Sequence, residues 1–225
     1  WSPGGNRLAF VGNDGGISDL YVLDMATKNV RQLTNDRYAD LQPTWSPDGG
    51  TIAFSTDRAE TNLDRLNPSK KMDLGLIDVE SREIAVREPF GDALHHNPQF
   101  SPDGQSLYFI SDKGGFKDIY RMERSSGDLF RVTRLQTGVS GITALAPAMS
   151  VASQAGSMMV SVYGDGRYTG VRLSAGEAKG SPLPDTTTAG RLKVSPSSSG
   201  EAEKDEDALD ANAGRGSVPG GAEEK

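Results

Sequence analysis

Cysteine is absent from the 225 residues, which removes disulfides, zinc-thiolate sites and cysteine nucleophiles together. It leaves the compartment open, because a chain without cysteine is compatible with export. Histidine is nearly absent, and His95 and His96 are the only two. Positive charge is in short supply: 24 Lys and Arg stand against 31 Asp and Glu, a formal net charge of −7. That balance opposes attraction to phosphate backbones and anionic lipid surfaces, so nucleic acid is not an expected partner. No apolar run approaches the roughly 18 residues of a membrane span, and no basic-then-apolar leader opens the chain. Apolar residues make up only 35%, low for a folded domain. The shortage is local. From about Ser174 the composition turns to Gly, Ser, Pro, Ala, Glu and Asp, and Ser195-Pro196-Ser197-Ser198-Ser199-Gly200 leads into Glu201-Ala202-Glu203-Lys204-Asp205-Glu206-Asp207. Such a segment cannot bury a core. Residues 174–225 are therefore expected to form a disordered acidic tail or linker, and residues 1–173 to carry the fold.

What is present is a repeat. Trp1-Ser2-Pro3-Gly4-Gly5 recurs as Trp45-Ser46-Pro47-Asp48-Gly49 and as Phe100-Ser101-Pro102-Asp103-Gly104. Each copy leads into an apolar run: Leu8-Ala9-Phe10-Val11, Ile52-Ala53-Phe54-Ser55 and Leu107-Tyr108-Phe109-Ile110. A third segment alternates as a half-buried strand does, in Asp19-Leu20-Tyr21-Val22-Leu23-Asp24, Asp73-Leu74-Gly75-Leu76-Ile77-Asp78 and Asp118-Ile119-Tyr120-Arg121-Met122. Val30-Arg31-Gln32-Leu33-Thr34, Glu83-Ile84-Ala85-Val86-Arg87 and Leu129-Phe130-Arg131-Val132-Thr133 close the units. Four short strands per unit at this period describe a propeller blade. Ser-Pro-Asp-Gly suits the turn between the first two strands, with Pro fixing φ and Gly free to take a positive φ. A fourth, divergent unit begins at Pro147-Ala148-Met149-Ser150 and lacks both the signature turn and a recognisable last strand. In this alignment Trp1, Trp45, Phe100 and Met149 share one packing position. The fold class expected is all-β: a β-propeller of about three and a half to four four-stranded blades.

These units resemble the TolB-like family of β-propeller repeats, in which Trp-Ser-Pro-Asp-Gly precedes an Ile-Ala-Phe strand and an Asp-Ile-Tyr strand. The resemblance covers residues 1 to about 134 strongly and 135 to 173 weakly. It implies a larger, six-bladed ring within a longer polypeptide, a periplasmic or extracytoplasmic location, and a protein or peptide partner. Related propellers are also non-catalytic domains attached to exported peptidases, and both readings stay open.

The chemistry-bearing residues argue for binding and not catalysis. His95 and His96 are adjacent, so on an extended chain they point to opposite faces and cannot readily share a metal ion. They are expected on a polar connection at one mouth of the ring. Gly-x-Ser-x-Gly is absent, and Gly164-Asp165-Gly166 lies in a hairpin with no helix to meet a phosphate. Asp14, Asp57, Asp112 and Asp165 recur near the start of the second-to-third-strand loops. One carboxylate per blade does not converge on a cation, so turn stabilisation is the expectation. No cofactor is expected. Arg37, Tyr38 and Asp40, the long loop from Thr56 to Lys71 with Arg58 and Arg65, and His95 with His96 are expected on loops of one face, where arginine and aromatic side chains suit a partner surface.

Overall fold

The computed structural model describes residues 1–58, 71–91, 93–143 and 145–183, and the backbone alone of 193–195. Blade I consists of β1 (Arg7–Asp14), β2 (Ile17–Asp24) and β3 (Val30–Gln32). Blade II has β4 (Asp40–Trp45), β5 (Thr51–Thr56), β6 (Asp73–Asp78) and β7 (Ile84–Arg87). Blade III has β8 (His95–Phe100), β9 (Ser106–Ser111), β10 (Asp118–Glu123) and β11 (Leu129–Arg131). Blade IV has β12 (Met149–Val151), β13 (Met158–Gly164) and β14 (Arg167–Leu173). Each blade is an antiparallel meander in chain order. The trailing chain then lays β15 (Ser181–Pro182) on the outer edge of blade III and β16 (Lys193–Ser195) on that of blade II.

The signature turn works through its serine. Ser46 donates N–H to Thr51 O (2.8 Å), its Oγ accepts the Thr51 N–H (2.9 Å), and Asp48 accepts from Gly50 N (3.0 Å). Ser101 and Asp103 repeat the arrangement with Ser106 and Gln105. Gly49 and Gly104 sit at φ 73 and 70, which a side chain resists. The fourth unit has this turn in altered chemistry: Ala152 N donates to Ser157 O (2.8 Å), and Gly156 at φ 65 closes it. Ala152 stands where Ser46 and Ser101 stand, so Val151, paired with Met158 as Trp45 is with Ile52, occupies the packing position. Met149 lies two residues earlier, and its assignment to that position is corrected accordingly.

Blades pack face to face along three seams. Leu20, Val22, Ile52 and Phe54 fill the first, Leu74, Leu107, Phe109 and Tyr120 the second, and Ile110, Ile119, Met158 and Val160 the third. The inner strands are also bolted together. Gln42 and Asn97, each just before a proline, take φ of 57 and 53 at bulges in β4 and β8. The Gln42 side chain accepts Asn97 N–H (2.6 Å), and the Asn97 side chain accepts N–H from Ala148 and Met149 (3.0 Å each). The positive φ aims each amide at the next blade, where the bulge frees Asn97 N–H for Gln42 and the start of β12 offers the Ala148 and Met149 N–H groups to Asn97.

A second repeated device closes the blades. Thr34 Oγ1 accepts Leu20 N–H and donates to buried Asp19, and Thr133 does the same for Ile119 N–H and Asp118. In blade II that place is Glu88, and Asp73 faces Lys71 (3.5 Å) and His95 Nδ1 (3.4 Å) instead. The chain beyond Leu173 also departs from expectation. Ala178 is fully buried in the third seam and Leu183 packs on the second, so residues 174–183 belong to the folded array. The rest of the expected tail, apart from the backbone of 193–195, lies outside the described residues.

Candidate functional site

In a four-stranded meander the second-to-third-strand loops and the connections between blades emerge on one face. Aspartates organise that face. Asp57 Oδ1 accepts Ala39 N–H (2.8 Å) and Asp112 Oδ1 accepts Leu94 N–H (2.9 Å). Each thereby ties its own loop to the residue that enters the inner strand. For these two positions the recurring aspartate is a turn anchor.

The chain brings Arg37, Tyr38, Asp40 and Arg58 together. Arg58 reaches Asp36 Oδ2 (2.5 Å), Asp40 Oδ1 and Thr56 Oγ1 (2.8 Å), with its guanidinium 5.5 Å from the Tyr38 ring centroid and 5.6 Å from that of Phe54. Its side chain is 5% exposed and that of Asp40 is fully buried. Asp40 and Arg58 are therefore internal supports of the loop, against the expectation that they face solvent. A buried ion pair of this kind is costly to break and poorly suited to meeting a partner. Burial pushes the Asp40 carboxyl up to about 6, opposed by Arg58. Asp19, Asp36 and Asp40 place one carboxylate oxygen each within 4.8 Å of the others. Arg58 already supplies the compensating charge to two of the three. Arg37 is exposed and stacks beside Tyr38 at 5.2 Å, its Nη2 donating to the phenol oxygen (3.2 Å).

His95 and His96 are the main correction. Both are fully or almost fully buried, inside β8 and not on a loop ahead of it. The inner strand begins earlier than its apolar residues suggest, because a strand at the centre of the array is enclosed even where its side chains are polar. His95 stacks on Phe90 (5.7 Å), and its Nδ1 donates to Met72 O (2.8 Å). His96 has no ring hydrogen bond among the described residues, and burial, then Lys117 and His95, push its pKa down to about 4. Neither ring meets a hydroxyl among the described residues. Arg65 lies outside the described residues.

Two residues that the sequence reading passed over carry the exposed apolar surface of this face. Phe116 is 57% exposed and Ile142 is 88% exposed. Both line a groove of about 420 Å³ with Lys117 and Val139. A second groove of about 420 Å³ lies on the other side of the β9–β10 loop, between Phe90, Ala93, Asp112 and Lys113. The signal was available in Asp112-Lys113-Gly114-Gly115-Phe116, a turn that ends on an aromatic residue instead of a polar one.

With this geometry in place, comparison with known proteins is informative. A family model described as the TolB beta propeller domain matches residues 1–62. Residues 1–62 thus match the TolB propeller family, and the later blades share its fold. A Protein TolB homolog of Chlorobium chlorochromatii is 32% identical over 138 residues, covering 48% of this chain and 31% of that protein. The uncharacterized peptidase YuxL of Bacillus subtilis is 32% identical over 134 residues, 59% of this chain and 18% of that protein. The chain thus spans a third or less of the length of these relatives. Among solved structures, TolB from Acinetobacter baumannii superposes with a TM-score of 0.63 at 17% identity, covering 86% of this chain and 41% of that one. A puromycin hydrolase superposes at 0.55 and 16% identity, over 80% and 29%. At these identities the structural likeness speaks for the TolB-type fold alone. Among the described residues no helix is long and apolar enough to cross a membrane.

Proposed function

We propose that these TolB-type blades form a non-catalytic scaffold outside the cytoplasm that binds a protein or peptide on the loop face. The observation that carries the reading is the pair of grooves flanking the β9–β10 loop, with Phe116 and Ile142 exposed beside them and the Arg37–Tyr38 stack on the neighbouring blades. Exposed aromatic and aliphatic side chains at a polar-rimmed concavity suit an extended or looped partner, while the strongly perturbed groups nearby are committed to internal contacts. The likeness to YuxL supports a second reading, in which the blades gate access to a peptidase domain of the same polypeptide.

Site-specific photocrosslinking in envelope extracts of the source cell distinguishes the faces. A crosslinker at position 116 or 142 should capture defined protein adducts, and one at position 48, in the signature turn of the opposite face, should not. Equal capture from both faces would sink the proposal. Adducts confined to peptides that are then cleaved would favour the peptidase reading.

A further inference from the structure

Beyond blade IV the chain doubles back as a built strap. Ser174 N and Oγ both donate to Glu177 Oε2 (2.7 Å each), which fixes a single 3-10 turn, Glu177–Lys179. That turn drives Ala178 into the seam between blades III and IV, where it is fully buried. Gly180 then crosses the Arg131 carbonyl at φ 69, so closely that a Cβ would lie 2.6 Å from the oxygen. Ser181 and Pro182 pair with Arg131 and Phe130, and Leu183 N donates to Leu129 O (3.0 Å). Arg121, lying 3.9 Å over the Phe130 ring, donates Nε to Lys179 O (3.0 Å). Leu183 packs against the seam between blades II and III.

We propose that the outer edge of blade III is a docking site for a peptide of the pattern Ala-x-Gly-x-x-Leu, turned at its alanine and extended beyond its glycine, and that residues 174–183 are its intramolecular occupant. Strand addition draws affinity from main-chain bonds and specificity from side chains at fixed intervals. Both are present. The trailing chain lays two unrelated sequences, Ser181–Pro182 and Lys193–Ser195, on the edges of successive blades, so the edges recognise main chain. On blade III the flanking positions add selection: the seam admits a small residue, the Arg131 carbonyl requires glycine, and the next seam takes a leucine. An edge left bare would recruit strands indiscriminately, and the tethered strap holds it against competitors at high effective concentration.

The test uses the full chain and a fluorescein-labelled peptide of residues 174–183. Gly180→Val should lift the strap, seen as faster amide exchange at Leu183, and the lifted chain should bind the peptide saturably by anisotropy. The parent chain should bind it about tenfold or more weakly, because its own strap competes. A peptide carrying Gly180→Val should bind neither chain. Should the Gly180→Val chain lose its native circular dichroism, Leu183→Glu, which removes the apolar anchor without touching Arg131, supports the same comparison. Unchanged exchange at Leu183 in both variants, no peptide binding by a released chain, or equal binding to parent and variant would overturn the proposal. Association of the released chain beyond that of the parent at the same concentration, which free peptide does not dissolve, would overturn it too, and would make the edge a contact between copies. The outer edge and the loop face share no residue, so failure here leaves the loop-face reading intact.

Discussion

At the scale of single residues, burial has turned two polar side chains into opposed pH sensors. His96, with its pKa pushed down to about 4, stays neutral in the folded chain, while in the unfolded chain it takes up a proton near its ordinary value of about 6.5. Between those values the unfolded state binds more protons, so the His96 contribution is fully present above pH 6.5 and is lost as pH falls toward 4. Asp40, pushed up to about 6, acts in the other direction: the folded state holds the extra proton, and its contribution is lost as pH rises from the ordinary carboxylate range through about 6. Between pH 4 and 6.5 the two contributions therefore oppose each other. His96→Leu should remove one arm, so that relative to the parent the variant loses stability as pH rises over that window, by a difference that accumulates to about 3 kcal/mol. Urea midpoints at half-unit pH steps read this directly, and parallel profiles for parent and variant would show that His96 is protonated in the fold. Neither residue was correctly placed by sequence alone. Two adjacent histidines look like loop chemistry, and nothing local reveals that the inner strand of an array is enclosed on all sides.

At the scale of strands and blades, the repeat was readable where side chains perform the turn and obscure where the main chain does. Ser46 and Ser101 announce their turns by type, whereas Ala152 makes the same backbone bond with no side-chain signature, and blade IV was accordingly misaligned by two residues. The strap was missed for a related reason. Ala178, Gly180 and Leu183 are sparse anchors in a composition that looks disordered, and each is informative only once the blades they touch are in place. The third strands show the converse, a departure from the repeat that packing explains. Phe10 stacks on Tyr21 (5.6 Å) and Phe109 on Tyr120 (6.0 Å), but Phe54 is paired with Gly75. A Cβ on Gly75 would lie 2.3 Å from the Phe54 ring, which is itself fully buried. Gly75→Ala should therefore destabilise by about 1–3 kcal/mol through overpacking. Gly170→Ala on blade IV, where the nearest atom is the flexible Met159 Cε at 3.3 Å, should be neutral or mildly stabilising, since glycine weakens an exposed strand. Equal shifts in the two denaturation midpoints would refute the role assigned to the Phe54 ring.

At the scale of the whole array, the two outermost faces differ from every internal one. Ile52 and Phe54 face blade I and are fully buried. Their equivalents in blade I, Leu8 and Phe10, are only half-buried, and Trp1 is 65% exposed where Trp45 is 8% exposed. At the other end Met159, Tyr163 and Tyr168 share the outward face of blade IV at 49%, 45% and 50% exposure. Each outer face of these 225 residues taken alone thus presents the kind of surface that elsewhere forms a seam, one that a further blade of the same polypeptide or a second copy would cover. The two ends also differ from each other, so their contact is heterologous and propagates from copy to copy unless the rotation closes a ring. The chain should accordingly show a weight-average mass that rises with concentration in sedimentation equilibrium. Phe10→Lys combined with Met159→Lys should suppress that rise, because each places a charge where a facing blade would have to desolvate it. Either substitution alone should suffice if the contact is end to end, whereas a contact between like ends would leave one single variant associating as the parent does. A parent chain that remains monomeric at every concentration would show that half-buried Leu8 and Phe10 are sufficiently covered within their own blade.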